Sequence, residues 1–335
     1  MTKKEKLSTS QDVAKLAGVS QSAVSRCFNK GGSISNRLRL RVLEAAKKLK
    51  YKPRAINFES NDIQNSKLVG VILPYITNRY YPEVLTELHE ILRQNDFRVL
   101  LITTDDGETV NDKLIQPYLK DKLIAIISAA KPTDAFVNSC NNQNIQIIAF
   151  NRNWNIPTTS SVSCDQKNGG ETIAQYFYKQ KHQHIACING YKNSFISQQR
   201  TGGFLNKLKL LKIQNIVTEQ GFFTYEGGRD AAQKILKKNK KITAIFCAND
   251  IMAFGCIDYI KYKTSLNIPK QIEIIGFDDV SAAEWQTYSL STIRQPLRQM
   301  AKLSIQLILD NINDNQFENT HHLIQGKFIQ RLTSR

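Results

Sequence analysis

The chain lacks several signatures that would assign it a class at once. Its six cysteines, at 27, 140, 164, 187, 247 and 256, are widely spaced and form no Cys-x-x-Cys pair. Four lie inside apolar runs, where cysteine behaves as a small buried hydrophobe. There is no run of about 18 consecutive apolar residues to cross a bilayer. The basic N-terminal residues have no apolar stretch behind them, so no secretory signal is read. The expectation is a soluble, reduced, cytoplasmic chain. Enzyme signatures are missing too: no Gly-x-x-x-x-Gly-Lys-Ser/Thr, no Gly-x-Ser-x-Gly, no Gly-x-Gly-x-x-Gly after a strand, no His-Glu-x-x-His. The histidine pairs 182/184 and 321/322 have no third donor beside them, so no metal site is read. The glycine pairs 169–170 and 227–228 start expected helices, where an anion could bind, but without a wider motif they read as residues that allow tight turns. No cofactor is expected.

Apolar residues make up 41% and charged residues 22% of the 335, which excludes a largely disordered, collagen-like or multi-span membrane chain. The length suits two to three domains. The net charge of +17 is uneven: residues 1–59 hold 14 Lys and Arg against 4 Asp and Glu. Such a concentration suits either a solvated basic face or a nucleic-acid contact, and the local pattern decides between them.

Thr9 and Asp12 make a capping-box start, followed by Val13, Leu16 and Ala17 on one apolar face. Gly18 stops this helix. Ser20 can cap a second helix that buries Val24, Cys27 and Phe28. The other face of that helix carries Gln21, Ser22, Ser25, Arg26 and Asn29, all with hydrogen-bonding side chains. A third helix starts near Ser35 and buries Leu38, Val42, Ala45 and Leu49. Two short helices joined by a glycine turn, the second with a polar face, describe a helix-turn-helix. Such a helix fits the major groove of B-DNA, where Gln pairs with adenine and Arg with guanine.

From Leu68 onward, strands alternate with helical spacings. Strand candidates are Leu68–Leu73, Phe97–Thr103, Ile124–Ala129 and Ile145–Asn151, then His184–Gly190, Thr218–Phe223, Ala244–Ala248 and Glu273–Phe277. Unbroken apolar strands suit parallel sheets covered on both faces. Two such series predict an α/β body of two doubly wound lobes, with ligand sites at strand C-terminal ends.

Asp12-Val-Ala-Lys-Leu-Ala-Gly-Val-Ser20, Ala23-Val-Ser-Arg26, Asn29 and Tyr51-Lys-Pro53 resemble the headpiece signature of the LacI/GalR family of bacterial transcriptional regulators. The likeness continues through Asn78-Arg-Tyr-Tyr-Pro-Glu83, Phe150-Asn-Arg152, Arg200-Thr-Gly-Gly-Phe204, Ala248-Asn-Asp250, Gly276-Phe-Asp-Asp279 and Ser291-Thr-Ile-Arg-Gln-Pro296. It implies a headpiece at 1–58 and a hinge at 59–67. A periplasmic-binding-protein-like effector and dimerisation domain would follow at 68–335, its N-lobe at about 68–161 plus 293–320 and its C-lobe at about 162–292 plus 321–335.

The resemblance assigns base reading to Gln21, Ser22 and Arg26, and phosphate contacts to Ser20 and Ser25. The usual hinge Arg and Leu are absent, and Phe58 or Ile63 could supply an apolar wedge if the linker is not a plain tether. For the effector it points to Arg200, Asp278, Asn249 and Asn151, with Tyr80, Tyr81, Phe222 and Tyr225 as an aromatic wall. Asp279 reads as a turn residue and Trp285 as a lid. Ile196 stands where relatives often have a hydroxyl. The implied function is a homodimeric regulator, a repressor by family default, with operator affinity set by a sugar or sugar derivative. Its partners are a pseudo-palindromic duplex and that effector. The alternative is a sugar-binding sensor or transport protein with no DNA role.

Overall fold

The structure is a computed structural model and describes residues 9–28, 35–49, 51, 67–74, 79–104, 109–118, 123–313 and 318–335. The chain divides into two compact units, Met1–Ser66 and Lys67–Arg335.

The first unit holds α1 (Ser10–Ala17), α2 (Gln21–Phe28) and α3 (Asn36–Lys48). Thr9 and Asp12 form the capping box, and the α1 cap is Gly18 in a left-handed conformation, φ 61°. A side chain there would be strained by the backbone and would also press a Cβ to 2.8 Å from the Arg41 guanidinium. That guanidinium donates to the carbonyl of Ala17 at 2.7 Å, so it closes the helix end that the glycine opens. Ser20 accepts from the Ala23 N–H and Ser35 from the Leu38 N–H, capping α2 and α3.

The core is Val13, Ala14, Ala17, Val24, Cys27, Val42, Ala45 and Ala46. Each buried valine contributes about 1.5–3 kcal/mol. Leu16, expected inside, is 51% exposed. The buried stripe of α1 runs through positions 13, 14 and 17, and Leu16 lies about 100° round the helix from its centre. Leu38 and Leu49 are only half-buried, and the small Ala46 fills the core in their place.

The second unit opens with β1 (Lys67–Pro74), α4 (Tyr80–Gln94), β2 (Phe97–Thr104), β3 (Thr109–Val110), α5 (Asp112–Ile115), β4 (Leu123–Ser128), β5 (Lys131–Pro132), α6 (Asp134–Asn141), β6 (Gln146–Phe150) and β7 (Thr159–Cys164). The chain then crosses to α7 (Gln166–Lys179), β8 (His184–Asn189), α8 (Phe195–Leu210), β9 (Asn215–Gln220), α9 (Tyr225–Lys238), β10 (Ala244–Cys247), α10 (Asp250–Lys263) and β11 (Glu273–Ile275). It returns through β12 (Thr292–Arg294) and α11 (Leu297–Asn313), then adds β13 (His321–Ile324) and β14 (Lys327–Ile329).

The first lobe is a parallel sheet in the order β13-β7-β6-β4-β1-β2, and the second is β11-β10-β8-β9, also parallel. Strand interiors such as Val69, Val71, Ile126, Ile127, Ile245 and Phe246 are buried, as two-sided helix cover requires. Antiparallel β12 and β14 brace the crossing region.

Two expectations need correction. The second lobe was expected to claim 162–164 and 321–324. Instead β13 pairs with β7 from His321↔Ser161 to Ile324↔Cys164, so the ladder carries both segments into the first sheet. The strand expected at Thr218–Phe223 ends at Gln220. The Gly221 N–H makes the last ladder bond, to the Asn189 carbonyl, and the Thr224 N–H bonds the Gly221 carbonyl, so Phe222 and Phe223 form the centre of a tight turn.

Candidate functional site

On α2, Gln21, Ser22 and Ser25 are exposed, as is the capping Ser20. They form one polar row, opposite buried Val24 and Cys27. The Gln21 amide donates to Ser10 Oγ at 3.0 Å, and the Ser20 and Ser22 hydroxyls lie 2.9 Å apart. The row is thus held ready from the N-terminal end of the helix. Asn29, Phe58 and Ile63, and the side chain of Arg26, lie outside the described residues.

In the second unit a cavity of about 390 Å³ opens between the lobes. That is within the range of small-ligand sites. All eight residues singled out in the sequence line it: Tyr80, Tyr81 and Asn151 from the first lobe, and Arg200, Phe222, Tyr225, Asn249 and Asp278 from the second. Ile196 lines it too. Arg152, Tyr191, Ser194, Phe223, Thr224, Glu226 and Ile251 complete the wall. Sequence reasoning missed these seven, although Tyr191 and Ser194 follow the C-terminal end of a strand, where ligands gather.

The charged end of the cavity is ordered by a closed ring of hydrogen bonds. Arg200 Nε donates to Gln166 Oε1 at 2.7 Å, and Gln166 Nε2 to Asn151 Oδ1 at 2.6 Å. Asn151 Nδ2 donates to the Tyr80 hydroxyl at 2.7 Å, which donates to Gln295 Oε1 at 3.2 Å. Gln295 Nε2 donates to Asp278 Oδ1 at 2.7 Å, and Asp278 closes the ring on Arg200 Nη2 at 2.8 Å. All six side chains are buried, so each bond replaces water that is excluded. Tyr80 and Asn151 belong to one lobe, Gln166, Arg200 and Asp278 to the other, and Gln295 sits just past the β12 crossing. Gln166 and Gln295 carried no signal of their own in the sequence.

Several local devices hold the ring. Arg200 Nη1 also donates to the Ala248 carbonyl at 2.6 Å, and the guanidinium lies 3.9 Å over the Phe277 ring. Helices α7 and α8 touch through glycines: a Cβ on Gly170 would stand 2.1 Å from the Arg200 carbonyl oxygen. Asn249 caps α10 by accepting from Met252 N–H at 2.9 Å, and its amide reaches the Phe223 carbonyl at 3.4 Å. Phe222 and Phe223 both have left-handed backbones, φ 55° and 57°, and Asp278 has φ 123°. Such strain persists where surrounding structure enforces it, and here it turns aromatic rings toward the cavity.

Burial pushes the Asp278 carboxyl above the usual carboxylate range while the Arg200 guanidinium pulls it back. Burial, then the Asp278 charge, hold the Tyr80 hydroxyl well above an ordinary tyrosine. Asp250, at the start of α10, is pushed up to about 8 by burial and then by the Asp278 charge. Asp279 has φ 58° and accepts from Arg331 Nη1 at 2.6 Å, so it acts as an anchor within its turn. Trp285 does not line the cavity; it is half-exposed, with the Arg79 guanidinium 5.3 Å from its ring centre. Beside it Glu83 Oε1 accepts the Ser281 N–H at 2.7 Å, again joining the two lobes.

Comparison with known proteins agrees with both units. Residues 9–54 match the model for bacterial regulatory proteins of the lacI family. Residues 66–332 match that for periplasmic binding proteins and the sugar-binding domain of the LacI family. The chain is 28% identical to the probable HTH-type transcriptional repressor ExuR of Bacillus subtilis (strain 168), over 97% of this chain and 99% of that protein. It is 27% identical to the ribose operon repressor of Escherichia coli (strain K12), over 91% and 93%. Among solved structures it resembles the Lac repressor bound to ONPG, with TM-score 0.72, 21% identity and coverage of 98% and 100%. It also resembles an Enterococcus faecium LacI family regulator with bound ribose, with TM-score 0.73, 23% identity and coverage of 80% and 98%. The matched models together span nearly the whole chain, which therefore belongs to the LacI family of bacterial regulatory proteins: it is a DNA-binding transcriptional regulator, not an enzyme.

Proposed function

We propose that the chain is a cytoplasmic, nucleoid-associated repressor that binds a pseudo-palindromic operator as a homodimer and releases or tightens it in response to a carbohydrate-like effector in the inter-lobe cavity. The exposed polar row on α2 carries the DNA half of this reading. Gln21, Ser22 and Arg26 read base edges, with Asn29 further along the same face, while Ser20 and Ser25 meet phosphates. Two copies place two such helices in successive major grooves. Phe58 or Ile63 supplies a wedge between base steps, and a permuted-site bending assay on Phe58→Ala and Ile63→Ala tests it.

The cavity supports the second half. Asp278 and Arg200 offer acceptor and donor groups to hydroxyls, Asn249 and Asn151 flank them, and aromatic rings provide a stacking wall. A ligand that engages Arg200 and Asp278 also perturbs the ring reaching Tyr80 and Asn151, so occupancy biases the angle between lobes. The shift equals the difference in ligand affinity between the two arrangements.

Selection from randomised duplexes defines the operator. Gln21→Ala should then change the preferred bases and cost about 1–3 kcal/mol on the best site. An unaltered base profile would remove Gln21 from the reading. Thermal-shift screening with sugars, sugar acids, sugar phosphates and nucleosides identifies the effector: a ligand at 100 times its Kd adds about 2.7 kcal/mol of stability. A hit whose shift survives Arg200→Ala unchanged would place the binding site elsewhere.

A further inference from the structure

Parallel α/β topology sends every helix C-terminus and every strand start to the same end of a lobe. In the second lobe, that end is built from the last turns of α7, α8, α9 and α10 and their connections onward, residues 176–184, 205–216, 235–243 and 262–272. These four stretches hold eleven lysines and no arginine, aspartate or glutamate. The rest of residues 67–335 is net acidic, with 21 Lys and Arg against 24 Asp and Glu. Ten of the eleven lysines are exposed and Lys207 is half-buried. Among the described residues, the ion pairs within 4 Å include none of the eleven.

The carboxylate nearest this end in sequence, Glu273 at the start of β11, does not offset them. It is fully buried and already held by His182 Nε2 at 3.3 Å and Arg335 Nε at 2.8 Å. Favourable placement of lysines at helix C-termini accounts for those in the last turns. It does not account for those in the connections, Lys181, Lys212, Lys240, Lys241 and Lys270, or for the missing acids.

We propose that this end of the second lobe is a sequence-independent binding surface for the phosphate backbone of duplex DNA, separate from the headpiece. Four strands at about 4.8 Å spacing, with a helix layer about 10 Å to either side, make a face roughly 14 by 20 Å. A duplex presents a phosphate about every 3.4 Å along each strand, so that face, touching one side, meets on the order of five phosphates. The four stretches supply lysine alone, the Arg335 beside them being paired with Glu273, and this suits the proposal: a flexible point charge tracks phosphates but does not fork onto base edges as arginine does. A chain held on an operator by its headpiece would meet a second stretch of DNA at high effective concentration, so weak contacts suffice to bridge two segments.

The test compares two Lys→Gln variants of equal net charge. One changes Lys237, Lys238, Lys240 and Lys241 in the face; the other changes Lys113, Lys131, Lys302 and Lys327, exposed lysines outside it. Each is made in the full chain and in residues 67–335, a unit whose cores are separate from that of the headpiece. The probe is a labelled random-sequence duplex of about 30 base pairs, titrated between about 50 and 200 mM salt. Residues 67–335 should bind it at low salt. The face variant should weaken binding at least tenfold and flatten the log–log salt slope by about 2–4 units, since each lost phosphate contact removes about 0.9. The control variant should retain the parent slope. No binding by residues 67–335, or equal loss in both variants, overturns the proposal. So does an unchanged duplex slope in the face variant with lost binding to phosphatidylglycerol vesicles, which would assign the face to a membrane. None of these outcomes bears on base reading by α2, which is measured on the operator.

Discussion

Removing Arg200 should expose how much of the second unit's stability is tied up in the floor of its cavity. Arg200→Met keeps an unbranched apolar side chain at this position but takes away the guanidinium, and with it the stacking on Phe277 and the bonds to Gln166, Ala248 and Asp278. Asp278 is then a buried carboxylate held by the Gln295 amide and no longer facing a cation. Breaking a buried pair from one side costs about 3–5 kcal/mol, because the surviving charge is left without compensation. Burial already raises the Asp278 carboxyl, and loss of the cation raises it further. A carboxyl raised in the folded state costs stability as pH climbs from its unfolded pKa toward the folded one. The penalty should therefore be larger at pH 8 than at pH 5. Urea unfolding followed by far-UV circular dichroism measures it, with the headpiece transition fitted separately. The double variant Arg200→Met/Asp278→Asn removes the stranded charge and should regain at least about half of the loss. A single-variant cost below about 1 kcal/mol, or a double variant that loses the sum of both singles, would refute the idea that the pair and its ring form one unit.

Three other outcomes follow from the same geometry. Asp250, pushed up to about 8 by burial and by the Asp278 charge, should make the thermal midpoint fall as pH rises from 5 to 8, and Asp250→Asn should flatten that dependence. An identical pH profile in the variant would show that Asp250 does not titrate in this window. Gly170→Ala would drive a Cβ into the Arg200 carbonyl and should destabilise the second unit by about 1–3 kcal/mol, while Gly202→Ala, with open space around it, should stay near the parent. Equal effects would mean that α7 and α8 can part without strain. Gln21→Ala should leave the unfolding midpoint of the headpiece nearly unchanged while altering base preference, because its side chain is exposed.

Legibility differed between the two units for physical reasons. Caps, the Gly18 stop and the polar row of α2 are local signals, written within a turn or two of the residues they govern. Leu16 was misplaced because a helix of eight residues is too short for spacing alone to orient it. In the second unit, the strand-end rule and the family motifs together placed eight residues on one cavity, from Tyr80 to Asp278. The same rule said nothing of Gln166 or Gln295, whose roles depend on partners 15 to 215 positions away. Phe222 was read as part of a strand, since only the hydrogen bond from Thr224 to Gly221 and the left-handed backbones of the two phenylalanines reveal that the chain has already turned.

The chain has two tryptophans, and their surroundings differ sharply. Trp154 packs against the interior of the first lobe, with its indole nitrogen shut away from solvent. Trp285 stands half in water on the second lobe, its ring under a guanidinium that belongs to the first. Any change in the gap between lobes alters that stacking before it alters anything around Trp154. The protein thus carries a built-in optical gauge of its own cleft, and Trp285→Phe provides the blank against which label-free emission can be calibrated.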